Sequence, residues 1–314
     1  MKLLNFRRYP ALELKSMPIV GRPLAAVFAF VDRGGILSDL AADPQRLWEG
    51  WWPYKAARRK WLSLPHPMIS VVVATKDNEE TIERSLRSIQ DQTFRNLEII
   101  VVNDCSTDRT GELVKRLQSA DPRIRYFENS AHLGTGRSRN RGLAAASGQY
   151  VTFQDGDDFS LPARIEKQFA VFERFPRKKL SFCNYVRVSA DGDRITVNDA
   201  RVRKCIISMM FPREEVLSKV GYFADTSISE DSDYYERIKV AFGSDCQITV
   251  FRTLYEALFR PNSSFFSDVR INSFDGKAVS YERDDAALAA LAKVRERHRQ
   301  MRAGALGVYV PYDG

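Results

Sequence analysis

The chain has 314 residues, 44% hydrophobic and 28% charged, with a formal net charge of +8. That length allows one large domain with extensions and a substantial core, and the charged fraction is that of ordinary globular proteins. No apolar run approaches the roughly 20 residues of a membrane-spanning helix, four scattered cysteines form no Cys-x-x-Cys pair, and three histidines exclude a histidine-rich metal site. The basic balance suits an anionic partner, whether a nucleotide diphosphate, nucleic acid or an acidic lipid surface, without choosing among them.

Residues 1–67 are rich in Pro, Arg and Trp and show no clean period. Pro65-His66-Pro67 closes this segment like a linker. Alternating strand and helix signals follow. Ile69-Ser70-Val71-Val72-Val73 reads as a buried parallel strand. Ile82, Leu86 and Ile89 recur at helical spacing, with Glu79 and Glu80 near the helix start. Leu97-Glu98-Ile99-Ile100-Val101-Val102 is a second strand, and Leu113, Val114 and Leu117 mark a second helix. Ile124-Arg125-Tyr126-Phe127 is a third strand, and a small-residue helix passes through Leu143 to Ala146. Tyr150-Val151-Thr152-Phe153 is a fourth strand, ending on Asp155-Gly156-Asp157-Asp158. This order predicts an α/β fold with a mostly parallel sheet covered on both faces. Residues 286–301 read as a further helix with an apolar stripe and a basic far end.

Ligands of such sheets bind beyond the carboxyl ends of the strands. The loops expected there are polar and carry several carboxylates, but no Walker spacing and no Gly-x-Gly-x-x-Gly follows the first strand. The acidic segment at the fourth strand suits a hard divalent ion, which takes few protein ligands because phosphates and water fill the rest. A plain solvated turn is the competing reading. Ser229-Glu230-Asp231-Ser232-Asp233 offers a carboxylate whose acidic neighbours raise its pKa towards that of a general base. It equally suits an acidic helix N-terminus. Arg137, Arg139 and Arg141 could contact phosphates or form an exposed basic face.

Four segments, in order, carry a resemblance. They are 69–79, then Val101-Val102-Asn103-Asp104-Cys105-Ser106-Thr107-Asp108, then Gly134 through Arg139-Asn140-Arg141-Gly142 to Val151, then Phe153-Gln154-Asp155-Gly156-Asp157-Asp158. Residues 68–265 resemble the glycosyltransferase family two catalytic domain of bacterial polysaccharide and glycoconjugate enzymes. The resemblance implies a GT-A fold, a Rossmann-like mixed sheet with helices on both faces. Residues 1–67 would be an N-terminal extension and 266–314 a C-terminal helical tail. Asp104 would bind the nucleobase together with the backbone around Ala74 and Thr75. Asp77, Glu79, Arg139 and Arg260 would belong to the donor-binding set. Asp155 would face ribose or metal, and Asp157 would be the principal ligand of Mg²⁺ or Mn²⁺. Asp231 would be the base of an inverting transfer, with Glu230 beside it, and residues 254–264 would form a closing loop. The sequence departs from the family pattern at Asn103 (often Asp), Cys105 (commonly Gly), Lys76 (often aromatic) and Pro261-Asn262 (often a metal-binding His).

The implied activity is transfer of a sugar from a nucleotide-diphosphate sugar, a UDP-sugar being favoured, to a hydroxyl of a saccharide or lipid-linked acceptor. A sugar-nucleotide pyrophosphorylase is the alternative enzyme. A saccharide-binding relative without catalysis is the other. Residues 48–61 hold all four tryptophans and a basic run. They could pack on the domain, meet a partner chain, or dock on an anionic membrane, and the basic C-terminal helix could do the same. No nucleic-acid-binding module accompanies the basic run, so no such partner is expected. The expected location is the cytoplasm, with room for peripheral contact at the inner membrane face and for oligomers.

Overall fold

The computed structural model describes residues 52–226, 228–260 and 269–313. The chain divides into two units, residues 1–65 with 251–253, and residues 66–250 with 254–314. Of the first unit's segment before residue 66, the described part is helix α1, Trp52–Leu62, and the turn after it, where Ser63 Oγ donates to Lys60 O. The other tryptophans of that segment, Trp48 and Trp51, lie outside the described residues, and so do Pro261-Asn262 and the rest of 261–268.

The second unit is built on β1 (Ile69–Thr75), α2 (Ile82–Gln90), β2 (Leu97–Asn103), α3 (Thr110–Ala120), β3 (Ile124–Glu128), α4 (Thr135–Ala145) and β4 (Tyr150–Asp155). Every residue of β1 and β2 is buried, as expected for strands covered on both faces. β1 runs parallel to β2 and to β4, so Thr75, Asn103 and Asp155 end side by side. β3 continues the parallel set beyond β2. The four sequence-predicted strands and the helices between them are therefore present.

β5 (Phe159–Ser160), α5 (Arg164–Arg174), β6 (Leu180–Val188), β7 (Arg194–Val197), β8 (Arg203–Lys204) and β9 (Met210–Pro212) follow, then α6 (Arg213–Val220), α7 (Glu230–Phe242) and β10 (Gln247–Leu258). β11 (Val269–Phe274), β12 (Ala278–Arg283) and α8 (Asp285–Arg302) complete the order. Most of these later pairings are antiparallel, β7 with β12 being parallel. The sheet reads β11-β12-β7-β6-β9-β4-β1-β2-β3, with β10 pairing β5 and β6 and β8 pairing β6. The main core lies between β1, β2, β4 and the helices, with Val72, Ile100, Leu143, Phe153, Phe211 and Tyr234 fully or nearly fully buried. Gly142 lets α4 sit directly on the sheet, since a Cβ there would lie 2.4 Å from Val72 Cγ1.

Two buried polar knots hold the ends. Below the sheet's amino edge, Glu98 accepts from Ser70 Oγ (2.6 Å), Ser147 N (2.7 Å), Ser147 Oγ (2.8 Å), Gly148 N (3.0 Å) and Arg125 Nη1 (2.7 Å). Burial opposes its charge, but these donors prevail and hold its pKa at about 2. On α7, Asp233 binds Arg237 Nε (2.8 Å) and His298 Nε2 (2.9 Å) of α8, while Arg237 donates to Val220 O, Tyr222 O and Val308 O. Residues 269–313 thus add a hairpin and a helix to the same unit.

Candidate active site

The parallel strands aim three loops and the acidic segment at one edge. The β1 and β2 loops are laced together. Asp77 N donates to Ser106 Oγ (2.9 Å), and Asp77 Oδ1 accepts from Thr107 N (2.8 Å). Glu79 N donates to Asp108 Oδ2 (2.9 Å), and the Glu79 carboxylate accepts from Arg109 N and Nε, both 3.1 Å. Asp77 and Glu79 therefore act here as loop staples. Lys76, at the position that is often aromatic, is paired with Asp77 at 2.6 Å. The backbone oxygens of Ala74 and Thr75 accept from Gly156 N (3.2 Å) and Asp104 N (2.9 Å). Cys105 adopts φ 57°. The turn where Gly is common thus keeps its left-handed conformation despite a side chain.

Asp104 is buried, and both its oxygens are engaged. Oδ1 accepts from Asn129 Nδ2 and Leu133 N, and Oδ2 from Gly134 N, all at 2.8 Å. His132 Nδ1 lies 2.7 Å from Oδ2. Burial raises the carboxyl's pKa, but the bonds from Asn129, Leu133 and Gly134 outweigh it and hold it below the usual range. Asp104 thereby fixes the loop after β3. His132 was not singled out from the sequence, because its partner lies 28 residues away and no local pattern marks the pair.

At the end of β4 each carboxylate has a separate partner. Asp155 Oδ1 accepts from Arg139 Nη2 (2.8 Å), and the other arm, Nη1, reaches Glu230 Oε1 (2.8 Å). Arg139 is only 3% exposed and thus joins the two acidic constellations from within. The start of α4 lies beside Glu230, since a Cβ added at Gly136 would sit 3.6 Å from Glu230 Cγ. Asn140 exchanges two hydrogen bonds with the Phe223 backbone, tying α4 to the segment before α7. Of the other two arginines, Arg137 pairs with exposed Asp225, and Arg141 donates to Glu128 O and Asn129 Oδ1.

Asp157 forms an ion pair with Arg260, whose Nη1 also donates to Asn78 Oδ1 (3.0 Å). Burial and then Asp155 push the Asp157 carboxyl up, while Arg260 opposes this. Asp158 accepts from Tyr255 OH (2.8 Å) and Leu258 N (2.9 Å) of β10. Burial, then Asp157 and Asp155, raise its pKa well above the carboxylate range. It is a structural tie. Residues 254–258 lie in β10 rather than in a closing loop, with Tyr255 and Glu256 paired to Ser160 and Phe159 of β5. Tyr255 and Asn78 were not singled out either, since neither signals its distant partner. Gly156 is required by a close approach, with a Cβ there only 2.4 Å from Thr75 Oγ1.

Asp231 sits in the first turn of α7, behind Ser229 at φ 56°. It is half-buried, and its Oδ1 accepts from Ser232 N at 2.7 Å. Burial, then adjacent Glu230, push its pKa up to about 6, against the pull of Arg139. Among the described residues no three His, Cys, Asp or Glu side chains converge as a metal cage. Asp155 and Asp157 are a two-carboxylate set, which fits a Mg²⁺ or Mn²⁺ ion bound mainly by substrate oxygens and water.

The chain is 45% identical over 93 residues to the GalNAc(5)-diNAcBac-PP-undecaprenol beta-1,3-glucosyltransferase of Campylobacter jejuni, covering 29% of this chain and 30% of that protein. It is 41% identical over 108 residues to an uncharacterized glycosyltransferase of Haemophilus influenzae, covering 34% and 33%. The match thus spans about a third of the length of these relatives. The fold is shared with S. aureus TarS 1–349, solved with UDP-GlcNAc, at TM-score 0.55 and 18% identity, over 76% of this chain and 71% of that one. This is the mixed, mostly parallel GT-A sheet expected above. The family model for glycosyl transferase family 2 matches residues 70–259, and the chain belongs to that family.

Proposed function

We propose that the protein is a metal-dependent, inverting glycosyltransferase. It moves a sugar from a nucleotide-diphosphate sugar to a hydroxyl of a saccharide or lipid-linked acceptor, in surface polysaccharide or glycoconjugate synthesis. The observation that carries this reading is Arg139, which bonds Asp155 and Glu230 at the carboxyl edge of the sheet and so brings the first turn of α7, with Asp231 within reach of its charge, to the end of β4. The UDP-GlcNAc held by the structurally similar TarS supports a UDP-sugar as donor.

In this reading Asp231 accepts the proton of the acceptor hydroxyl. The freed oxygen bonds to the anomeric carbon as the bond from that carbon to the diphosphate oxygen breaks, so the configuration inverts. A pKa of about 6 leaves Asp231 ionised at neutral pH yet basic enough to take a proton. Glu230, held by Arg139, keeps the N-terminus of α7 in place. Asp157 and Asp155 would hold Mg²⁺ or Mn²⁺, which supplies positive charge to the departing diphosphate. Asp104 shapes the loop at the β2–β3 end, where the nucleobase would lie.

The test is a thermal-shift screen of nucleotide-sugars with and without Mn²⁺, followed by assay of nucleoside diphosphate release. Asp231→Asn is expected to lower kcat by about 10²–10⁴-fold with the fold intact. The role of base sets the sign of the pH profile, and the raised pKa sets where it breaks. The base is ionised above about pH 6 and protonated below it, so log kcat should be flat above that value and fall with unit slope beneath it. A flat profile down to pH 5, or near-normal transfer by Asp231→Asn, would remove Asp231 from the role of base.

A further inference from the structure

Four donor groups, two of them cationic, hold the carboxylates of the acidic segment, and they differ in how readily they can leave. Tyr255 and the Leu258 N–H hold Asp158 from within β10. Arg139 holds Asp155 and is 3% exposed. Arg260 holds Asp157 from a side chain that is 38% exposed, with Asn78 as its other anchor. Asp157 itself is 15% exposed. Arg260 is thus the displaceable partner on the carboxylate proposed above as principal metal ligand.

We propose that Arg260 competes with the divalent ion for Asp157, so that the ion binds tightly only together with a nucleoside diphosphate that draws the guanidinium away. The proposal rests on the donor and metal reading given above. Its physical basis is charge exchange. A divalent ion arriving at Asp157 either meets a guanidinium on the same carboxylate, where like charges repel at short range, or displaces it. A displaced guanidinium loses a charge-assisted hydrogen bond. Alone, the ion offers nothing in return. A diphosphate does, because its paired oxygens match the two-armed guanidinium. Metal and nucleotide then favour each other through one side chain, and the coupling is reciprocal by thermodynamic necessity.

The experiment is isothermal titration of the full chain with Mn²⁺, alone and with saturating UDP, and with GDP as a second nucleotide. Wild type, Arg260→Gln and Arg260→Lys are compared, each first checked for a cooperative melt. Wild type should bind Mn²⁺ at least tenfold more tightly with UDP or GDP than without. Arg260→Gln should bind Mn²⁺ alone several-fold more tightly than wild type, and the nucleotide's enhancement should shrink. Arg260→Lys keeps the charge but cannot span Asn78 and Asp157 together, so it should fall between the two. It carries the test if the Gln variant does not fold. Mn²⁺ binding with nucleotide intact, but no tighter alone in either variant, would overturn the competition and leave the donor reading standing. Absence of Mn²⁺ binding in wild type with both nucleotides would overturn the metal reading, and this proposal with it.

Discussion

Arg139 and Glu98 show how much depends on single buried charges. Arg139 faces two carboxylates from a position almost closed to solvent, where removing one partner strands the others. The sequence offered three arginines at every second position of α4. On a helix such residues point in different directions, so which one turns inward depends on β4 and α7, neither of which is local. Glu98 is the reverse case, a charge read only as part of a strand and found fully ligated. Its pKa falls from an ordinary 4.5 to about 2. The stability it contributes is therefore present above pH 4.5 and is lost as the pH falls towards 2. Glu98→Gln should cost on the order of 3 kcal/mol at pH 7. Urea unfolding at pH 7 and pH 3 checks this, and the gap to wild type should narrow at the lower pH.

Among elements, α4 matters most, because it delivers Arg139 and Asn140 to the site. Its approach to the sheet depends on Gly142. An alanine there would meet Val72, a stiff β-branched side chain in a fully buried strand. The overpacking cost of about 1–3 kcal/mol exceeds the gain of about 0.8–1 kcal/mol from better helix propensity. Gly142→Ala should therefore melt a few degrees lower, and turnover should fall further than stability because Arg139 moves with the helix. Calorimetry and nucleotide-release assays on the same preparation separate the two effects. The elements legible in the sequence were those whose burial writes a long pattern. β1, β2 and β4 are nearly continuous apolar or β-branched runs; α8 was legible as a helix, but its buried face is Ala287, Val294, His298 and Met301, and Leu288 of the apolar stripe is exposed. The hairpin β11–β12 left no such mark. Residues 270–274 are exposed, and the hairpin's place depends on pairing to β7 some 80 residues earlier. Likewise, the partners of Asp104 and Asp158 come from distant loops and strands, so the acidic residues were legible but their duties were not.

At the scale of the whole molecule, the strand order has a consequence for synthesis. β1 is paired on both sides, by β2, which follows at once, and by β4, which arrives only with residues 150–155. At about 5–20 residues per second on a ribosome, that side of β1 waits for roughly 4–16 s. During the wait a row of unpaired backbone groups flanks Val71-Val72-Val73, a template for pairing with another chain. Chains ending at residue 148 should aggregate, whereas the full chain should gain soluble yield when elongation is fast and the chains are dilute. Light scattering of the two products made in a cell-free system would decide the point. Sites of this kind are usually weighed by what they bind. Here the strand that supports the site also sets the interval in which the newborn chain is most exposed to its neighbours.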